Sequence, residues 1–145
     1  MKLESIIAEL RKDGVRITQM RRHLLNLFLK ATTPLSVLSI NEILEAENVH
    51  VNKTTIYREL EFLLERKLIT SIQFNEDKKR YELIRDHHHH LVCDQCGNIE
   101  EVKIKALEDL FGEIETQLRD LKKFKLVNHS LEFFGVCKEC EQPES

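Results

Sequence analysis

The sequence contains no tryptophan, only four glycines and two prolines in 145 residues, and an aromatic content of 6%. So little glycine and proline leaves no room for a collagen-like fibre or a low-complexity chain. No apolar run approaches the roughly 18–20 residues that a membrane span requires. The opening stretch, MKLESIIAELRKDG, alternates apolar and charged residues where an export signal would carry a continuous apolar segment. The expected location is therefore the cytoplasm, with no membrane partner. A large charge excess of either sign is also missing, and a net charge of −3 by itself argues against nucleic-acid binding. What remains is a chain of 41% hydrophobic and 32% charged residues, ordinary for a globular protein and long enough for one domain or two small ones.

The charge is unevenly placed. Residues 1–84 carry 14 basic against 12 acidic side chains, and residues 85–145 carry 8 against 13, so the front is +2 and the back −5. All four cysteines and most of the histidines belong to the acidic part. We expect two domains, 1–84 and 85–145, in an α+β chain.

In the front part, Leu3, Ile6, Ile7 and Leu10 recur at helical spacing and Gly14 follows as a stop. Thr18 can cap a second helix with Leu24, Leu27 and Phe28 inward. The segment SINE, Ser39 to Glu42, reads as a capping box opening a third helix that runs to about Ala46. Asn52 is placed to cap a fourth helix whose Ile56, Leu60, Leu63 and Leu64 share one face. Near the start of that helix Lys53, Thr54, Thr55, Tyr57 and Arg58 point elsewhere, as they would on a recognition helix entering a major groove. Two strand-like pieces, LITSIQF and KRYELI, joined by the polar turn NEDK, then form a hairpin, or wing. An ordinary three-helix core has the same periodicity, and its Arg and Tyr would then be a solvated face.

In the back part the spacing predicts a strand (HLVC), a tight turn at Gly97 and a second strand (NIEEV). A helix follows with Leu107, Leu110, Phe111, Ile114, Leu118 and Leu121 inward, then a last strand in FKLVNHSLEFFGVC. Cys93 and Cys96 form one Cys-x-x-Cys pair, Cys137 and Cys140 another. Two such knuckles brought together by a returning strand offer four thiolates to Zn²⁺, whereas a redox pair usually opens a helix and neither of these does. Four histidines in a row, 87–90, precede the first pair. On extended backbone they alternate, His88 and His90 to one side and His87 and His89 to the other, unless the run is an exposed tract without function. Glu82, Glu101, Glu108 and His129 stand where the chain can return to them, and mixed imidazole and carboxylate sites suit Fe²⁺, Mn²⁺, Zn²⁺ or Co²⁺.

Several of these pieces, in this order, resemble the ferric uptake regulator family of metal-responsive repressors: GVRIT (14–18), TTIYREL (54–60), YEL followed by HHHHLVCDQCG (81–97), and NHSLEFFGVCKEC (128–140). The resemblance implies an N-terminal winged helix-turn-helix domain, a small α/β dimerisation domain, and a homodimer that represses from an AT-rich palindromic operator when loaded with metal. Cys93, Cys96, Cys137 and Cys140 match its structural zinc ligands. Glu82, His88, His90 and Glu101 match a regulatory site at the interdomain hinge, and His87, His89, Glu108 and His129 a second site. Tyr57 and Arg58 match residues that face the operator, and Arg16 a basic residue that reaches the minor groove. Glutamate at 82 and 101 fits the iron-sensing branch, with Fe²⁺ as co-repressor. The peroxide-sensing branch uses aspartate, the zinc-sensing branch commonly has cysteine at position 82, and a manganese-sensing relative is a further alternative.

One departure stands out. The family's further regulatory histidine, from the segment before the third helix, has Val37 or Leu38 in its region here, with His50 as a possible stand-in. Val37→His is then expected to sharpen the metal dependence. A zinc hydrolase is the competing enzyme reading, but no His-Glu-x-x-His helix is present. A constitutive zinc-stabilised DNA-binding module is a third.

Overall fold

The computed structural model of the chain describes residues 2–74 and 76–141. Two compact units divide between Arg85 and Asp86, and each mixes helices with its own small sheet. Among the described residues, no helix is long and apolar enough to cross a membrane.

The first unit contains α1 (Leu3–Lys12), α2 (Gln19–Lys30), β1 (Leu35–Ser36), α3 (Val37–Ala46), α4 (Lys53–Glu65), β2 (Ile69–Ile72) and β3 (Arg80–Leu83). Gly14, at φ +74°, turns the chain out of α1 where a Cβ would be strained. Thr18 caps α2 by accepting from the Arg21 N–H, and Asn52 caps α4 by accepting from Thr55. The expected opening of the third helix at Ser39 is corrected. The cap is Ser36, whose Oγ accepts from the Ser39 N–H at 3.1 Å, while Ser39 already lies in the first turn. Both serines precede an apolar run, and Ser36 prevails because it holds the extended backbone a cap requires.

One contiguous core joins the four helices: Ile6, Ile7 and Leu10; Leu24, Leu25 and Phe28; Val37, Ile40 and Leu44; and Ile56, Leu60 and Leu63. Each fully buried aliphatic side chain of this kind stabilises the fold by about 1.5–3 kcal/mol. Leu64 is only partly buried against this core. Helix α4 thereby has one face fixed to the protein, which leaves Tyr57 52% exposed near its N-terminal end. The wing is antiparallel, but β3 is central: the order is β1-β3-β2, with Leu35 opposite Tyr81 and Ile69 opposite Leu83. Asn75, at the start of the expected NEDK turn, lies outside the described residues.

The second unit contains β4 (His89–Cys93), β5 (Ile99–Val102), α5 (Lys105–Lys122) and β6 (Glu132–Gly135). Strand β4 is central, antiparallel to β5 and parallel to β6. The last strand is thus only four residues, not the run expected from Phe124. Helix α5 buries none of its residues. Leu107, Phe111, Ile114 and Leu118 are partly buried, but Leu110 is 49% and Leu121 76% exposed, so the inward face expected for this helix is only partly covered among the described residues. The periodicity identified an apolar face correctly but could not say what covers it. Cys93 and Ile99 are the only buried members of the hydrophobic core that this unit contributes among the described residues. A unit of this size with so small an apolar interior needs metal or a second chain to hold it.

Candidate functional site

The four cysteines come together because β6 lies parallel to β4. Pairing Cys93 with Gly135 carries the chain, two residues later, to Cys137. One donor atom from each of Cys93, Cys96, Cys137 and Cys140 lies within 4.8 Å of the others, and Cys96 Sγ is 3.7 Å from Cys137 Sγ. Sulfurs held tetrahedrally about 2.3 Å from a common centre are about 3.8 Å apart, so the spacing fits Zn²⁺. The backbone N–H of Cys137 points at Cys93 Sγ from 3.3 Å. Backbone donors, first that of Cys96 and then that of Cys137, lower the Cys93 thiol to about 6. Cys140 is pushed up to about 12, chiefly by its thiol neighbours Cys137 and Cys96. The Cys93 thiolate is thus available at neutral pH, whereas Cys140 must lose its proton in exchange for metal.

A second cluster lies within the same unit. His87, His89, Glu108 and His129 each offer a ligand atom within 4.8 Å of the rest. The alternation of the histidine run explains half of it: His87 and His89 share a side, with ring centroids 4.8 Å apart, while His88 and His90 pair on the other, 4.9 Å apart. Glu108, in the first turn of α5, is 3.0 Å from His89 Nε2 and 3.6 Å from His87 Nε2. His89 Nδ1 is 3.1 Å from the Leu131 carbonyl, which can only accept, so Nδ1 is the donor there. Nε2 faces a second acceptor, the Glu108 carboxylate at 3.0 Å, a contact that needs a proton or a cation between the two. His129 Nε2 is buried without a hydrogen-bond partner among the described residues. Burial, then the neighbouring His87 and His89, hold the His129 pKa below its usual value. An orphaned imidazole nitrogen beside a second imidazole and a carboxylate is what a divalent cation would satisfy, and the donors fit one. Phe111, whose ring stacks on His129 with centroids 3.9 Å apart, was read from the sequence only as a core residue.

The other expected ligands are distributed between the units. In the second, Glu101 stands directly across from His90 in the β4–β5 ladder and therefore on the same face, with its carboxylate 3.6 Å from Lys103 Nζ. In the first, Glu82 is a buried carboxylate on β3 and lines a pocket of about 170 Å³ with Phe28, Leu29, Ala31, Thr33, Leu83 and Arg85. Val37 is 9% exposed in the helical core, so a side chain there is directed inward, and Leu38 is 55% exposed. His50 Nδ1 is 2.8 Å from Glu45 Oε2. Thr33 lines this pocket with Glu82 and was not singled out in the sequence.

Of the residues expected to face DNA, Arg16, Thr54, Tyr57 and Arg58 are exposed. Thr55 is engaged locally, its hydroxyl donating to Asn52 Oδ1 at 3.0 Å.

Residues 12–134 match the model of the ferric uptake regulator family. The chain is 30% identical to the peroxide-responsive repressor PerR of Staphylococcus aureus over 139 residues, 96% of this chain and 91% of the relative. Its fold is similar to that of the Helicobacter pylori ferric uptake regulator, a structure described as having three functional metal-binding sites. The TM-score is 0.82 at 27% identity, over 100% of this chain and 97% of that one. A zinc-bound manganese uptake regulator gives a TM-score of 0.73 at 25% identity, covering 94% and 99%. With two ligand clusters in the second unit and a helix presenting Tyr57 and Arg58 in the first, these matches assign the chain to a group of metal-responsive DNA-binding transcriptional regulators that act as dimers: it belongs to the ferric uptake regulator family.

Proposed function

We propose that the chain is an iron-responsive repressor of metal-homeostasis genes, acting as a cytoplasmic homodimer on an AT-rich palindromic operator. The observation that carries this reading is the division of the histidine run. His87 and His89 are committed to the cluster with Glu108 and His129, and His88 and His90 face away from it. One strand can then serve two sites of different purpose.

Cys93, Cys96, Cys137 and Cys140 hold the structural zinc, closing the end of the β4–β6 sheet. His88, His90 and Glu101 from the second unit and Glu82 from the wing are the regulatory ligands. Because Glu82 precedes the unit boundary and His88 follows it, ligands that converge fix the angle between the two units. A bound divalent ion supplies the positive charge that lets these carboxylates and imidazoles converge. Two half-sites on a duplex face the same way only about one helical turn apart or a multiple of it, so a fixed angle favours operator binding. Thr54, Tyr57 and Arg58 then read the major groove and Arg16 the minor groove. His87, His89, Glu108 and His129 form the second site, which stabilises the dimerisation unit.

Family members are transcriptional regulators rather than enzymes. The test is operator binding titrated anaerobically with Fe²⁺, Mn²⁺ and Zn²⁺. His90→Ala should abolish the metal-stimulated part while leaving the thiolate zinc and the dimer in place. If His129→Ala abolishes it and His90→Ala does not, sensing belongs to the second site. A peroxide-responsive role, suggested by the Staphylococcus aureus relative, would appear as loss of DNA binding on peroxide treatment of the iron-loaded protein but not of the manganese-loaded one.

A further inference from the structure

Beside the buried stripe of α4, an ion pair joins this helix to α2. Arg21, on α2, forms a bidentate bond to Glu59: Nε donates to Oε2 at 2.9 Å and Nη2 to Oε1 at 3.1 Å. Both side chains are only 12% exposed, and the guanidinium carbon lies over Phe62, 3.6 Å from the ring centroid. Its remaining arm crosses to a third place, where Nη1 donates to the Arg16 carbonyl at 2.8 Å. The Arg21 backbone N–H meanwhile caps α2 through Thr18. One planar, fully spread side chain is thus tied to the helix that carries Tyr57 and Arg58 and to the short segment that carries Arg16.

Stability alone does not require this third bond. The segment between Gly14 and Thr18 is already closed on α1 by Val15 N–H to the Leu10 carbonyl and on α2 by the Thr18 cap. What the bond adds is a fixed offset between the exposed Arg16 side chain and the exposed end of α4. Glu59 follows Arg58 directly, so the same bidentate pair ties α4 to α2 next to that exposed residue. Lysine cannot substitute, because a single ammonium cannot span two carboxylate oxygens and a carbonyl in one plane.

We propose that Arg21, held by Glu59, is a positioning residue that couples minor-groove reading by Arg16 to major-groove reading by α4. This inference rests on the assignment of Arg16 and Tyr57 to DNA, and the experiment separates the two. The probe is a duplex recovered from a randomised pool by the unmodified, manganese-loaded, full-length protein. One derivative replaces adenine with diaminopurine, which places guanine's amino group in the minor groove and leaves the major-groove edge of adenine unchanged. Another replaces thymine with uracil, which removes only the major-groove methyl.

The unmodified protein should lose about tenfold in affinity on each derivative. Arg16→Ala should become insensitive to diaminopurine and remain sensitive to uracil. Arg21→Lys and Glu59→Gln should do the same, with Arg16 still present. Ile7→Val, a core change of comparable thermal effect, should keep both sensitivities. If Arg16→Ala loses the diaminopurine response and both Arg21→Lys and Glu59→Gln retain it, the coupling is wrong and the Arg16 assignment stands. If Arg16→Ala retains the response, the assignment fails and the coupling with it. Equal loss of both responses in Arg21→Lys and Glu59→Gln would reduce the pair to a brace and overturn the proposal.

Discussion

Cys93 and His129 show how single side chains set the chemistry of this protein. The Cys93 sulfur receives backbone N–H groups, which lower its pKa to about 6 and favour the thiolate that a metal binds. Cys96→Ser should release the structural zinc. Thiolate zinc sites in small domains contribute about 10 kcal/mol or more to folding, so the second unit should lose its cooperative unfolding transition; metal analysis with calorimetry checks both. His129 has the opposite character. Its folded-state pKa is depressed, so the unfolded chain takes up a proton at a higher pH than the folded one does. The stability it confers on the metal-free protein is complete above about pH 6.5 and falls as the pH drops through that value toward the folded pKa. Denaturation midpoints between about pH 8 and pH 5 should show this decline, and His129→Asn should flatten it. Both roles were legible in part. Paired cysteines at fixed spacing announce a metal in any chain, and alternation along a strand sorted the four histidines correctly by side. The Phe111 ring against His129 and the carbonyl of Leu131 on His89 were not legible, since each depends on how a helix or a strand returns from elsewhere in the chain.

Among elements, α4 was the most readable, because its cap, its stripe and its exposed Tyr57 all follow from spacing within a few residues. Tyr57→Ala should cost about 1–3 kcal/mol of operator affinity, in line with one lost base contact, with no change in melting temperature; a binding isotherm beside a thermal scan tests this. Strand β1 was invisible by the same logic. Two residues make no pattern, and their pairing with β3 joins positions more than forty residues apart. That omission displaced the expected start of α3 and with it the site proposed for a restored histidine. Val37→His would bury an imidazole in the helical core and should destabilise the first unit by about 2 kcal/mol or more. Thr33, which shares the Glu82 pocket, is the better position, and Thr33→His should raise the ratio of metal-loaded to metal-free operator affinity in a direct titration.

The two units differ in how they hold themselves together. The first has an apolar core that joins all four of its helices, and the second has a sheet, two ligand clusters and a helix with no fully buried residue. Leu91, Phe134 and Val136 of the second unit are exposed, as are Leu110 and Leu121 of α5. Dimerisation, which family members need in order to bind operators, is the event that would cover such a surface. Phe134→Glu should therefore shift sedimentation toward the monomer and weaken operator binding together, while the first unit melts as before.

Strand β4 has Cys93 at one end and His89 at the other, and its parallel neighbour β6 begins three residues after His129 and ends two before Cys137. Zinc held by the four cysteines would fasten β6, and so His129, beside the histidine run, in addition to the β4–β6 pairing. The expected order of loading is zinc first, the second cluster afterwards. Withdrawing the later metal should leave the earlier one in place, whereas stripping zinc should empty both. A cell starved of zinc during synthesis would then accumulate a protein deaf to every other metal, and newly made chains would inherit a history of zinc supply that later iron could not rewrite.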